Sequence, residues 1–71
     1  MSSDFIEVEG TVTKVLPNTV FRVQLDNGNE ILGNLSNDIR ENYTRILVGD
    51  RVKVELASYN SAQGCITQLI S

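Results

Sequence analysis

A chain of 71 residues has room for one domain, and a domain this small buries only about 60% of the surface its unfolded chain exposes, which argues against a deep catalytic cleft. Six basic against nine acidic residues give a formal net charge of −3, which argues against strong indiscriminate binding of polyanions, because that affinity comes from counterions released at many phosphate contacts. Residues 1–33 hold Lys14 and Arg22 against Asp4, Glu7, Glu9, Asp26 and Glu30, whereas residues 34–71 carry Arg40, Arg45, Arg51 and Lys53 against Asp38, Glu41, Asp50 and Glu55, so a polyanion is expected to meet the second half more readily.

In chain order, the dominant signal is period-two alternation, the mark of a half-buried strand. The stretch FIEVEGTVTKVL at 5–16 puts Ile6, Val8 and Val12 on one face. Val15 falls out of phase with them, which predicts a bulge near Thr13 and Lys14, and Gly10 within the run predicts a sharp bend. Pro17 and Asn18 punctuate the chain before TVFRVQLD at 19–26, where Phe21, Val23 and Leu25 share the inner face. DNGN at 26–29 contains the Asn-Gly pair favoured in tight hairpins, and EILGNLS at 30–36 reads as a third strand. NDIRENY at 37–43 is too short and polar for more than two helical turns; Ile39 and Tyr43 fall four apart on one side of it, and Ser36, Asn37 or Asp38 is placed to cap it. VGD at 48–50 turns the chain into RVKVEL at 51–56, with Val52, Val54 and Leu56 inward. YNSAQG at 59–64 leads to a last strand, CITQLI. The expectation is one domain over residues 1–71, ordered over about 5–69, built as an all-β, five-stranded, partly open barrel with one short helix between strands 3 and 4, the order of an OB-fold.

The sequence offers little to a catalyst. Cys65 is the only cysteine and there is no histidine, so neither an internal disulfide, a Cys-His nucleophile nor a zinc quartet can be assembled, and a structural thiol in a reducing compartment is expected. Glu7 and Glu9 share a strand face, but without a cleft they read as a charged edge that discourages strand addition. No run of about 18 apolar residues suits a membrane span, and MSSDFIEVEG lacks the features of a signal peptide. No catalytic residue, cofactor or metal site is expected.

The stretches IEVEGTVTKVLPNTVFRVQLDNG at 6–28 and IRENYTRILVGDRVKVEL at 39–56, continued by Tyr59 and Gly64, together cover most of the chain and resemble bacterial and plastid translation initiation factor one, a family of single OB-fold domains of this length. The resemblance implies a monomeric, non-enzymatic factor of the cytoplasm or plastid stroma. It implies binding to the small ribosomal subunit at the aminoacyl-tRNA site, against ribosomal RNA and ribosomal protein S12, with occlusion of tRNA entry and action alongside the other initiation factors. The family has basic residues where this chain has Asp38 and Glu41, and again around Gln63, Cys65 and the tail TQLIS. That departure motivates a rival reading, an acidic OB-fold module that binds proteins.

Eight residues form the candidate RNA-binding set. Arg40 and Arg45 offer guanidinium groups to phosphates or exposed bases; the alternative for each is a solvated or locally paired arginine. Tyr43 and Tyr59 offer ring faces for stacking, although Tyr43 would equally cover the barrel end from the helix. Arg22 belongs to a middle strand, whose outer face is the usual OB-fold binding surface. Arg51 and Lys53 lie on one strand face that Glu55 shares, which also suits plain solubility. Asn18 sits at a loop tip that could enter an RNA groove or be chosen for its backbone angles.

Overall fold

The computed structural model describes residues 5–41 and 45–70. Five strands, β1 (Ile6–Leu16), β2 (Val20–Leu25), β3 (Glu30–Leu35), β4 (Arg51–Leu56) and β5 (Gln63–Leu69), surround one core, with a short helix, α1 (Asn37–Glu41), between β3 and β4. The strands close into a barrel in the order β1-β2-β3-β5-β4. All neighbours are antiparallel except β3 and β5, whose parallel pairing seals the barrel that the sequence pattern left partly open.

The expected irregularities fall where the hydrophobic phase slips. Val12 pairs with Val23 and Lys14 with Arg22, so Thr13 is the extra residue of a bulge. Beyond it Val15 lies opposite Phe21, on the face that its sequence position alone would have denied it, although at this end of the barrel it stays 48% exposed. A second shift, between Lys53 and Val54, leaves Thr67 unmatched on β5, and its hydroxyl donates to the Lys53 carbonyl at 3.4 Å. β5 begins at Gln63, two residues earlier than CITQLI suggested.

Long β1 serves two neighbours, pairing with β4 over Ile6–Thr11 and with β2 over Gly10–Leu16. Gly10 sits where the two ladders overlap, and a Cβ there would come within 2.7 Å of both the Gln24 carbonyl oxygen and a Val23 methyl. The crossover therefore excludes any side chain at this position. Gly10→Ala is expected to cost about 1–3 kcal/mol by overpacking, measured as a lowered denaturation midpoint with an unchanged slope.

The tight hairpin expected at Asn27-Gly28 forms between β2 and β3. The Leu25 N–H donates to the Asn29 carbonyl at 2.7 Å and the Gly28 N–H to the Leu25 carbonyl at 2.9 Å. Gly28 has φ +96°, which gives a three-residue loop whose last residue is left-handed, a position suited to glycine. At the other end of β2, Asn18 and Thr19 have φ of 64° and 57°, so the Pro17–Thr19 tip is held in a backbone conformation that a β-branched residue such as Thr19 rarely adopts. The helix is capped by Ser36, whose Oγ accepts from the Ile39 N–H at 3.3 Å, which selects one of the three capping candidates.

The core is Val12, Phe21, Val23, Leu25, Ile31, Leu35, Ile46, Val52, Val54, Leu56 and Ile66, with Val8, Ile39 and Leu69 packed against it. No polar or charged side chain is buried among the described residues. Ile46 comes from the segment between α1 and β4, where no periodicity announces it.

Candidate nucleic-acid interface

Register decides which charged side chains meet. On the outer face, Lys14 of β1 lies opposite Arg22 of β2, Arg22 opposite Leu32 of β3, and Leu32 opposite Gln63 of β5. The bulge at Thr13 is what turns Lys14 outward beside Arg22. Two like charges directly opposite each other disfavour the bare sheet and favour any anion that bridges them. Among the described residues Arg22 has one ion-pair partner, Glu30, at 3.9 Å, and both side chains are about half exposed, so water and salt screen the pair and leave it worth little. Above this cation pair, Leu16 and Val20 close the β1–β2 hairpin and carry the exposed Asn18 at its tip. Asn18 and Arg22 are thus brought together with Lys14, which the candidate set omitted; the out-of-phase Val15 is the sequence signal that would have recruited it.

Arg51 and Lys53 are engaged elsewhere. The Arg51 guanidinium grips the Asp26 carboxylate fork to fork, Nη1 to Oδ1 and Nη2 to Oδ2 both at 2.8 Å, donates to Thr11 Oγ1 at 3.0 Å and reaches Glu9 Oε1 at 3.3 Å. Lys53 Nζ stands 3.9 Å from Glu7 Oε1. These contacts tie β4 to β1 and to the β2–β3 turn. They also engage Arg51 and Lys53, two of the four basic side chains of the second half, with acids of the first. Glu7 and Glu9 lie opposite Glu55 and Lys53 in the β1–β4 ladder, so they are ladder partners as well as edge charges.

The hydrogen bonds from Arg51 hold the Asp26 carboxyl below its ordinary value of 3.8, and the same contacts push the guanidinium further up. Because the folded value is the lower one, the stabilisation is complete above the unfolded value and is lost as pH falls through the folded one. Asp26→Asn is expected to lower the melting temperature near neutral pH, with the gap to the parent narrowing on acidification below 3.8; thermal melts across that range check it.

The remaining candidates stand apart. Arg40 lies in the last turn of α1, where a cation complements the helix carbonyls, and Arg45 is exposed after it; neither pairs with an acid among the described residues. Tyr43 lies outside the described residues. Tyr59 is 60% exposed and lines a groove of about 320 Å³ with Glu7, Glu9 and Asp26, at the acidic end of the barrel. Cys65 is half-buried on the outer face between Asn34 and Glu55, and burial, with the Glu55 charge second, pushes its thiol up, so it stays protonated at neutral pH.

The barrel is shared with several solved structures. One is the translation initiation factor one of the Wolbachia endosymbiont strain TRS of Brugia malayi, 42% identical over 99% of this chain and 83% of that one, with a TM-score of 0.76. YjeQ from Thermotoga maritima is 25% identical over 93% of this chain but only 23% of its own length, with a TM-score of 0.73. YloQ, described as a circularly permuted GTPase, matches over the same shares at 20% identity and a TM-score of 0.72, a likeness of fold alone. The family model for translation initiation factor 1A / IF-1 matches residues 2–71, and with that span the chain belongs to the translation initiation factor 1A / IF-1 family.

Proposed function

We propose that this initiation factor acts by binding, without chemistry of its own, at the aminoacyl-tRNA site of the small ribosomal subunit, where it contacts ribosomal RNA and occludes tRNA entry. Family membership supplies the setting. The observation that carries the RNA contact is the outward Lys14 and Arg22 pair beneath the Pro17–Thr19 tip: two adjacent, weakly engaged cations and a loop of fixed backbone form a compact phosphate-binding edge. Asn18 supplies polar contacts at the tip, and Arg40 and Arg45 add guanidinium groups from the α1 region.

In this reading Arg51 and Lys53 hold the barrel's charges in order and do not reach RNA. Ribosomal protein S12 and the other initiation factors are the expected neighbours, and a monomer in the cytoplasm or plastid stroma is the expected form. No described helix is long and apolar enough to cross a membrane. The rival reading, an acidic module for proteins alone, predicts no association with subunits. Co-sedimentation with purified small subunits at low salt separates the two: the factor travels with the subunit if the proposal holds, and stays in the supernatant if the rival does.

A further inference from the structure

Charge is polarised along β1, whose eleven residues separate Lys14 at one end from Glu7 and Glu9 at the other by roughly 20 Å. The acidic end coincides with an opening in the barrel's hydrogen bonding. Val12 donates to the Asp50 carbonyl at 2.9 Å and accepts from the Gly49 N–H at 2.8 Å, which fixes the parity of the ladder. Gly10 and Val8, in phase with Val12, turn their backbone polar groups toward β4, and Glu9 and Glu7 turn theirs the other way. On that other side β2 pairs no further than Gly10 and Leu25. The Glu9 carbonyl accepts from the Asp26 N–H at 3.1 Å. The Glu9 N–H and both backbone groups of Glu7 have no such strand partner among the described residues and open onto the groove.

That groove has an apolar floor and wall, Val8, Leu25 and Tyr59, and an acidic rim, Glu7, Glu9 and Asp26. With Glu55 opposite Glu7, four carboxylates surround the two cations Arg51 and Lys53. We infer that this segment of β1 is a docking edge for an extended, basic segment of a protein partner, which adds as a short strand beside Glu7–Glu9.

The chemistry selects that occupant. Strand addition satisfies the free backbone groups, and alternation of the added strand sends one apolar side chain over Val8, Leu25 and Tyr59 while its neighbours lie beside the rim. Lysine or arginine at those neighbouring positions meets net negative charge. A second copy of this chain, added antiparallel, would set Glu7 and Glu9 against their own counterparts, and RNA phosphate would meet the same repulsion. The acids that discourage self-pairing therefore admit a basic strand.

The test uses the full isotope-labelled chain and an acetylated, amidated peptide of alternating lysine and valine, about six residues long, the length of an ordinary strand. Saturable amide shifts are expected at Glu7, Glu9 and Tyr59. Alternate backbone nitrogens of the peptide can be methylated in two registers; the one that removes the donors facing β1 is expected to weaken binding about tenfold and the other to leave it unchanged. Glu7→Lys, at an exposed site, is expected to weaken it similarly, and an alternating glutamate-valine peptide is expected not to bind. Four results would overturn the inference: no saturable shift; indifference of both N-methyl registers to methylation; concentration-dependent shifts of the same amides without peptide, which mark self-association; or a single-stranded oligonucleotide occupying these amides instead. A chain that binds small subunits normally and still shows any of these four overturns this inference alone.

Discussion

Reversing Lys14 and Arg22 together to glutamate is expected to lower affinity for the small ribosomal subunit by about 100-fold or more, because each charge-assisted contact is worth about 1.5–3 kcal/mol and each factor of ten about 1.4 kcal/mol. The fold should survive. Both side chains are on the outer face and directly opposite each other, so the double change replaces one like-charged pair by another. The only ion pair removed among the described residues is the half-exposed one between Arg22 and Glu30 at 3.9 Å, which screening leaves weak. A thermal melt confirms folding, and a subunit titration reads the loss. Undiminished binding would move the RNA-facing surface away from this hairpin.

The largest effect on stability is expected at Phe21. Its ring is 2% exposed in the barrel's core cluster, and its β1 neighbour Val15 is too short to refill the space. Phe21→Ala is expected to cost about 3–5 kcal/mol, from lost transfer energy and the cavity left behind. A chain of 71 residues has a total stability of roughly 4–10 kcal/mol, so the variant should lose about a third of it or more. Urea titration checks this; a loss under about 1 kcal/mol would mean that Phe21 does not fill the core as described.

What could be read in advance was local. Alternation placed β1 to β4, and a single residue out of phase, Val15, located the bulge at Thr13. Gly10 was legible as an exception, though its reason is the carbonyl of Gln24 and the methyl of Val23 pressing on it from β2. The parallel closure of β3 on β5 was not legible, because it depends on a pairing across residues 32–66 that no periodicity encodes. Nor was Ile46, a lone apolar residue in an irregular segment.

The candidate site was harder to read for the same reason. Residue type alone makes Arg51 as good an RNA ligand as Arg22. Only the register reveals that Arg51 meets Asp26 and Glu9, 25 and 42 residues away in sequence, while Arg22 meets Lys14. Tyr59 shares the difficulty: the Asn29 side-chain amide donates to its carbonyl at 3.3 Å, a link across 30 residues that anchors its loop beside the acidic groove. The net charge of −3 is compatible with the proposed RNA contact because the cationic and acidic ends are separated.

If a small, locally cationic edge carries the interaction with ribosomal RNA, the salt dependence of binding to purified small subunits must be shallow. With Lys14, Arg22, Arg40 and Arg45 as the available cations, about two to four phosphates are neutralised, and the logarithm of affinity should fall against the logarithm of salt with a slope between about −2 and −4. A slope of about −7 or steeper would require more cations than the barrel presents, and no binding at low salt would remove the cationic edge as an RNA contact altogether.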